Sequence, residues 1–154
     1  MTGIAATNPT GGRPSVESQV LGTIEVTDDQ RYRFPEGLYG FPECRDFVLA
    51  AAPRDGLYWL QSTTYAALVF LLVDPFLYCS GFHIDFNDVD AGRLGTRDPG
   101  DILVLAIVTI PERHGEPCTV NLHAPLLFNV KARQAHQSIR TDDGFGIREP
   151  LQLS

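Results

Sequence analysis

The sequence lacks any long hydrophobic run. Its longest wholly apolar stretch, Ala66–Val73, is less than half of the ~20 residues that cross a bilayer as a helix. The N-terminus has no positively charged segment leading into an apolar one, so no secretory signal is visible. Cysteine is scarce and poorly placed for cross-linking. Cys44, Cys79 and Cys118 are odd in number, far apart and never in a C-x-x-C pair. That argues against a disulfide framework or a structural zinc site, and for a reducing compartment. Positive charge is in deficit: 12 Lys and Arg stand against 19 Asp and Glu, a net charge of −7 with pI near 4.9. A chain so balanced does not follow a nucleic-acid backbone, which demands clustered cations; it suits basic partners and solubility. A soluble, cytoplasmic, single-domain protein is expected, monomeric when free and with no cofactor.

Catalytic constellations are missing as well. No serine sits in G-x-S-x-G, and no cysteine has a recognisable catalytic context. The four histidines, His83, His114, His123 and His136, include no H-x-H or H-x-x-x-H pair. His83 and Asp85 lie on one face of a strand and are the nearest approach to a metal site. Starting from Asp88, an EF-hand loop would need glycine at Arg93 and glutamate at Pro99. The Gly92–Gly95 segment has neither the lysine nor the preceding strand of a phosphate-binding loop. Tyr58, Trp59, Phe70 and Phe76 read as core residues, with a ligand box as the alternative.

What is present is a succession of short strands. Ile102–Ile110 is β-branched and nearly free of polar atoms, which predicts a strand buried on both faces and stopped by Pro111. A polar turn at Glu112–Glu116 follows, then a return strand over Thr119–Leu122 that Pro125 interrupts before Leu126–Val130 continues it. Further strands are predicted at Gly22–Thr27, Arg31–Phe34, Asp46–Ala51, Leu57–Ser62, Ala67–Val73, Phe82–Phe86 and Gln137–Arg140. Asp28–Gln30 reads as a hairpin-like turn between the first two of these. One helix stands out: Asn87 can cap Asp88–Leu94, Asp88 and Asp90 favour its first turn, and Gly95 ends it. Residues 1–18 are small, polar and rich in Gly, Pro and Thr, which predicts a disordered tail ahead of a folded domain over 19–154. Ile147, Leu151 and Leu153 are candidate docking points near the C-terminus. The fold class is therefore all-β: a small antiparallel β-barrel-like single domain with one or two short helical turns.

Between Asp74 and Asp101 acids outnumber bases. Asp74, Asp85, Asp88, Asp90, Asp98 and Asp101 face only Arg93 and Arg97. They read either as an ordinary solvated face or as an acidic field for a basic partner. Lys131, Arg133 and Arg140 form a smaller cationic set, read as internal partners for those acids.

Several ordered pieces give the chain a resemblance to the flagellar assembly factor family FliW. They are Phe34-Pro-Glu-Gly37-Leu-Tyr-Gly40-Phe41, Tyr58-Trp59-Leu60-Gln61-Ser62, Val73-Asp74-Pro75-Phe76 and Asp98-Pro99-Gly100-Asp101. To these are added Ala106-Ile-Val-Thr-Ile-Pro111, Thr119-Val-Asn121-Leu-His-Ala124-Pro125 and Asn129-Val-Lys131-Ala-Arg133 followed by Gln137. Together they cover residues 31–140. Two positions depart from the pattern: Ala135 stands where such proteins tend to carry glycine, and Tyr39 where proline is common.

The resemblance implies a non-enzymatic β-barrel protein that binds flagellin before its export and also binds CsrA, the small dimeric RNA-binding repressor of flagellin translation. Exchange between these two partners would couple flagellin synthesis to secretion, with CsrA antagonised away from its RNA groove. It marks Asp74, Pro75, Phe76, Asn121, Ala124, Pro125, Asn129 and Arg133 as family-like positions. Charge adds Asp85, Asp88, Asp90 and Asp101 as the residues expected to weaken the field that draws RNA to a basic site. A flagellin-only chaperone of the same fold stays open beside this reading. So does a small β-barrel enzyme, or a metal- or sugar-binding domain, built on His83, Asp85 and the aromatic set.

Overall fold

The computed structural model describes residues 4–5, 14–140 and 144–153. In chain order its elements are β1 (Ile4–Ala5), β2 (Ser15–Ser18), β3 (Gly22–Glu25), β4 (Arg31–Arg33), β5 (Asp46–Ala51), β6 (Leu57–Ser62) and β7 (Val69–Val73). Two short helices follow, α1 (Pro75–Tyr78) and α2 (Asp88–Leu94). The chain then forms β8 (Ile102–Thr109), β9 (Cys118–Val120), β10 (Leu126–Asn129), β11 (Gln134–Gln137) and β12 (Glu149–Leu151). Seven strands close on themselves in the order β4-β5-β6-β7-β8-β10-β11, and β11 returns to β4. The junction of β11 with β4 is parallel, at Gln134↔Arg33; the other neighbours in the ring are antiparallel. Closure removes the open edges that a sheet of this size would otherwise expose. The expected β-barrel with short helical turns is the observed fold.

The barrel interior is aromatic. Tyr32 and Phe128 meet edge to face at 5.0 Å, Phe34 and Phe47 at 5.4 Å, and Phe34 and Phe128 at 5.7 Å. Leu60, Leu72, Leu105 and Leu126 fill the space around them. Strand β8 explains its own sequence. Leu103, Leu105 and Ile107 face the barrel interior, while Val104, Ala106 and Val108 face a second core outside it. A strand with cores on both sides has no polar face, as the unbroken apolar run predicted. The second core is completed by Phe82, Leu94, Val120, Leu122 and Leu151, so both α2 and β12 pack on it.

The return from β8 divides as Pro125 suggested. Val120 pairs with Val108, and Leu126 with Leu105, so three extra residues bulge out between β9 and β10. Asn121 stabilises that bulge: its Oδ1 accepts from the backbone N–H groups of His123 at 3.1 Å and Ala124 at 3.0 Å.

Several sequence expectations need correction. Ser15–Ser18, expected in the tail, forms the central strand of a small sheet β1-β2-β3, with Val16 buried against Val26 and Val48. A ladder and one valine order this polar segment, which composition undervalues; the folded unit begins ahead of Gln19. Residues 1–3 and 6–13 lie outside the described residues. Asp28–Gln30 is a 3-10 turn that joins different sheets, not a hairpin, because β3 pairs with β2 and β4 with β5. Phe82–Phe86 alternates in burial as predicted yet forms no ladder. Gln137–Arg140 is replaced by Gln134–Gln137, which pairs with all of β10. Of the C-terminal docking points, Leu151 is buried in β12 and Leu153 packs nearby, whereas Ile147 is exposed.

Candidate functional site

The predicted site residues divide into a surface group and a buried group. Asp74 opens α1: its Oδ1 accepts from the Phe76 N–H at 2.9 Å, and Pro75 occupies the first helical position, where its missing N–H costs nothing. Gly56, at φ +80°, lets α1 approach; a Cβ there would lie 2.9 Å from Leu77 Cδ1 and from Tyr78 Cε2. Tyr78 locks the contact by donating its hydroxyl to the Asp55 carbonyl at 2.6 Å. The result is that Phe76 is held 54% exposed, its ring edge-on to the buried Phe82 at 5.0 Å.

From Phe82 the chain runs extended to α2. Ile84 and Phe86 turn toward the protein while His83 and Asp85 turn to solvent. The Asp85 carbonyl accepts from the Arg140 guanidinium, which holds this segment where no strand partner is available. Phe76, Ile84, Asp85, Phe86, Arg97 and Ile102 line a cleft of about 410 Å³. Asp88, at the start of α2, pairs with Arg97 on its rim. Asp98 caps the 3-10 turn Pro99–Asp101 by accepting from Gly100 N–H at 3.0 Å, and Asp101 pairs with Lys131 at 3.2 Å. Of the predicted residues, Phe76 and Asp85 line this hollow beside Arg97; Asp74 caps the helix that carries Phe76, Asp88 pairs with Arg97, and Asp101 directly precedes the lining Ile102, so acids flank an apolar floor. The cleft walls Ile84, Phe86 and Ile102 were missed as site residues; the alternation of Ile84 and Phe86 around Asp85 was their only signal.

Asp90 does not belong to that margin. It is 1% exposed, with Oδ1 3.2 Å from His136 Nε2 and Oδ2 accepting from Arg140 Nη1 at 2.8 Å. It also closes the capping box of α2, where Asp90 N–H donates to Asn87 Oδ1 at 2.8 Å and Asn87 N–H donates to Asp90 Oδ2 at 3.2 Å. Burial would raise its pKa, but hydrogen bonds from His136, Ser138, the Asn87 backbone and Arg140 outweigh that and hold it at about 2. Asp90 is a buried anion that fixes α2 to the barrel, so its expected place in a partner-facing field is corrected.

Ala124, Pro125 and Asn129 are buried too, and Asn121 is the bulge residue already described. Asn129 donates its Nδ2 to the Leu94 carbonyl at 2.8 Å and accepts from Lys131 and Ala132 N–H groups at 3.0 Å each. It thereby satisfies an orphan carbonyl at the end of α2 and shapes the β10–β11 turn. Arg133 sits in that turn, away from the acid-rimmed cleft.

The alternative sites do not assemble. Phe70 lies against the barrel interior and Phe76 outside it, so the four aromatic residues form no common box. The His83 ring lies tilted against Phe145 with centroids 5.3 Å apart, and its Nδ1 is 3.2 Å from the Gly81 carbonyl oxygen. Among the described residues, no three His, Cys, Asp or Glu side chains are grouped to hold a metal, and no helix is long and apolar enough to cross a membrane.

Comparison with known proteins bears on all of this. The profile of the FliW protein family matches residues 15–151. The flagellar assembly factor FliW of Treponema denticola is 33% identical over 136 residues, which cover 88% of this chain and 92% of that protein. That of Symbiobacterium thermophilum is 38% identical over 125 residues, 80% of this chain and 90% of its own length. A crystal structure of the flagellar assembly factor FliW superimposes with a TM-score of 0.79 at 29% identity, covering 88% of this chain and 95% of that one. The match spans the barrel, both short helices and the acid-rimmed cleft, and on it the chain belongs to the FliW family of flagellar assembly factors.

Proposed function

We propose that this protein is a cytoplasmic, non-enzymatic binding factor that holds flagellin before export and, when flagellin leaves, captures CsrA and relieves its repression of flagellin translation. Family membership supports the flagellar setting. The observation that carries the binding role is the half-exposed Phe76 in a cleft that Asp85 and Arg97 also line, with Asp74 capping the helix that carries Phe76 and Asp88 paired to Arg97. An apolar anchor point inside a charged rim is the anatomy of a protein-binding surface, where one buried aromatic contact supplies affinity and the rim supplies selection and steering.

CsrA antagonism then has a physical route. A partner carrying a net charge of −7, seated beside a basic RNA-binding face, lowers the potential that draws phosphate to it. With Asp90 committed to α2, this role rests on Asp85, Asp88 and Asp101.

The test is calorimetric titration against flagellin and CsrA from the same organism, separately and in competition. Tight binding to each, with flagellin displacing CsrA, is the expected result. Binding to flagellin alone reduces the protein to a chaperone, and binding to neither overturns the proposal.

A further inference from the structure

A second charged hollow shares no residue with the acid-rimmed cleft. Tyr32 points into the barrel, so Arg31 and Arg33 on either side of it project from the outer face of β4. Register places Asp46 opposite Arg33, and the parallel junction places Gln134 beside it, bringing Arg133 alongside from the β10–β11 turn. Arg31, Arg33, Asp46 and Arg133, with Thr63 and Thr64, line a cleft of about 410 Å³. Three guanidinium groups therefore share one hollow on a strongly acidic chain.

Two of the three have carboxylate neighbours. Arg33 pairs with Asp46 at 3.0 Å, both about half exposed, and Arg31 lies 4.0 Å from a largely exposed Asp28. Pairs of this kind are weak and readily exchanged for another anion. Arg133 is in no ion pair among the described residues. It is also the only non-glycine residue with positive φ among them, at 56°. Its backbone is held there because its N–H donates to the Asn129 carbonyl at 2.8 Å and its own carbonyl accepts from Arg33 N–H at 3.0 Å. Glycine would meet that backbone requirement with less strain; what arginine adds is a guanidinium in the hollow. Its charge is felt inside the barrel as well, where it opposes the rise that burial imposes on the Tyr32 phenol.

We propose that this cleft binds a carboxylate of an acidic peptide, with Arg133 as the principal donor and Arg31 and Arg33 beside it. The fork of a guanidinium matches the two oxygens of a carboxylate. The lining side chains, three arginines against Asp28 and Asp46, balance to a single positive charge, which one carboxylate neutralises, whereas a dianionic phosphate would leave the hollow with an excess negative charge on an already acidic chain. The site is independent of the acid-rimmed cleft and goes beyond the function proposed for it.

The experiment is an amide-resolved NMR titration of the full-length protein with three probes: N-acetyl-Gly-Glu-Gly-amide, its Gln isostere and inorganic phosphate. The glutamate peptide is expected to shift the amides of Arg33, Thr63, Thr64 and Arg133, and the Gln peptide to leave them in place. Phosphate should bind more weakly than glutamate. Arg133→Gly is expected to lose about tenfold in affinity, which converts to about 1.4 kcal/mol and is within reach of one charge-assisted hydrogen bond. Because glycine tolerates the positive φ, the same variant should melt no lower than wild type. Arg113→Gln, which removes one exposed cation elsewhere, should bind as wild type does. Equal shifts from the Gln peptide, phosphate binding as tight as glutamate, no binding at all, or full affinity in Arg133→Gly would each overturn the assignment.

Discussion

Replacing Asp90 with Asn tests the electrostatic core of the fold. The carboxylate is buried between His136 and Arg140, whose side chains are themselves only 11% and 10% exposed, and it closes the α2 capping box. Its pKa falls from an ordinary 3.8 to about 2. At ~1.4 kcal/mol for each tenfold change in proton affinity, that preference for the anion is linked to about 2 kcal/mol of stability. The folded value lies below the unfolded one, so the contribution is complete above pH ~5 and disappears as pH falls through 4 toward 2. At neutral pH the amide leaves Arg140 buried beside an uncharged partner, a loss of about 3 kcal/mol for breaking a buried pair. For a chain of this size that lowers Tm by roughly 10 °C. Urea unfolding of wild type and Asp90→Asn at several pH values measures the gap directly. It should be about 3 kcal/mol at pH 7 and narrow by about 2 kcal/mol between pH 5 and pH 2. A gap that stays constant across that window, or one below ~1 kcal/mol at pH 7, would refute the reasoning, since Asp90 would then not be a stabilising buried anion.

Other predictions address the surface and the turn. Asp85→Lys combined with Asp88→Lys changes two exposed side chains and should keep Tm within a few degrees of wild type while impairing relief of CsrA–RNA binding, as read by RNA gel shift. Antagonism equal to wild type by that folded variant would dispose of the electrostatic route. Phe76→Ala should weaken binding to the flagellar partner by at least about tenfold in calorimetry, with a much smaller effect on stability, because half of the ring faces solvent. Unchanged affinity would remove Phe76 as the anchor. Asn129→Ala strips three hydrogen bonds from a buried side chain and should lower stability by about 2–3 kcal/mol in chemical denaturation; a loss under ~0.5 kcal/mol would show that water replaces them.

Local signals were legible in the sequence, and long-range partners were not. Helix α2 begins and ends where Asn87, Asp90 and Gly95 said it would, because a capping box and a left-handed terminal glycine act within a few residues. Strand β8 was legible because two cores leave it no polar face. Phe82–Phe86 misled because alternation reports which side chains are covered, not whether the backbone has a ladder; here Arg140 holds the Asp85 carbonyl instead. Strand β12 escaped notice since its three residues depend on pairing with β9, about 30 positions earlier in the chain. The same limit applied to the acids. Nothing local distinguishes Asp88 from Asp90, both in the first turn of α2. Only the approach of His136 and Arg140 buries one and leaves the other at the surface.

That separation changes what the net charge of the chain means. Of the six acids between Asp74 and Asp101, Asp90 is neutralised inside, Asp74 and Asp98 satisfy backbone N–H groups, and Asp88 and Asp101 face cations. Capping does not cancel a carboxylate's charge, and the exposed Asp88–Arg97 pair rearranges at little cost, whereas Asp101 is largely covered, so the acidic margin survives in weakened form. At physiological salt its field decays over ~8 Å. It therefore acts most strongly on groups brought close to the cleft. The distance matters because Arg133 lies only two residues from Lys131, the cation that faces Asp101. The β10–β11 turn thus carries both Lys131, which faces Asp101, and Arg133, which lines the hollow proposed to bind a carboxylate. A surface divided in this way orients a docking protein as well as attracting it, which uniform negative charge would not do.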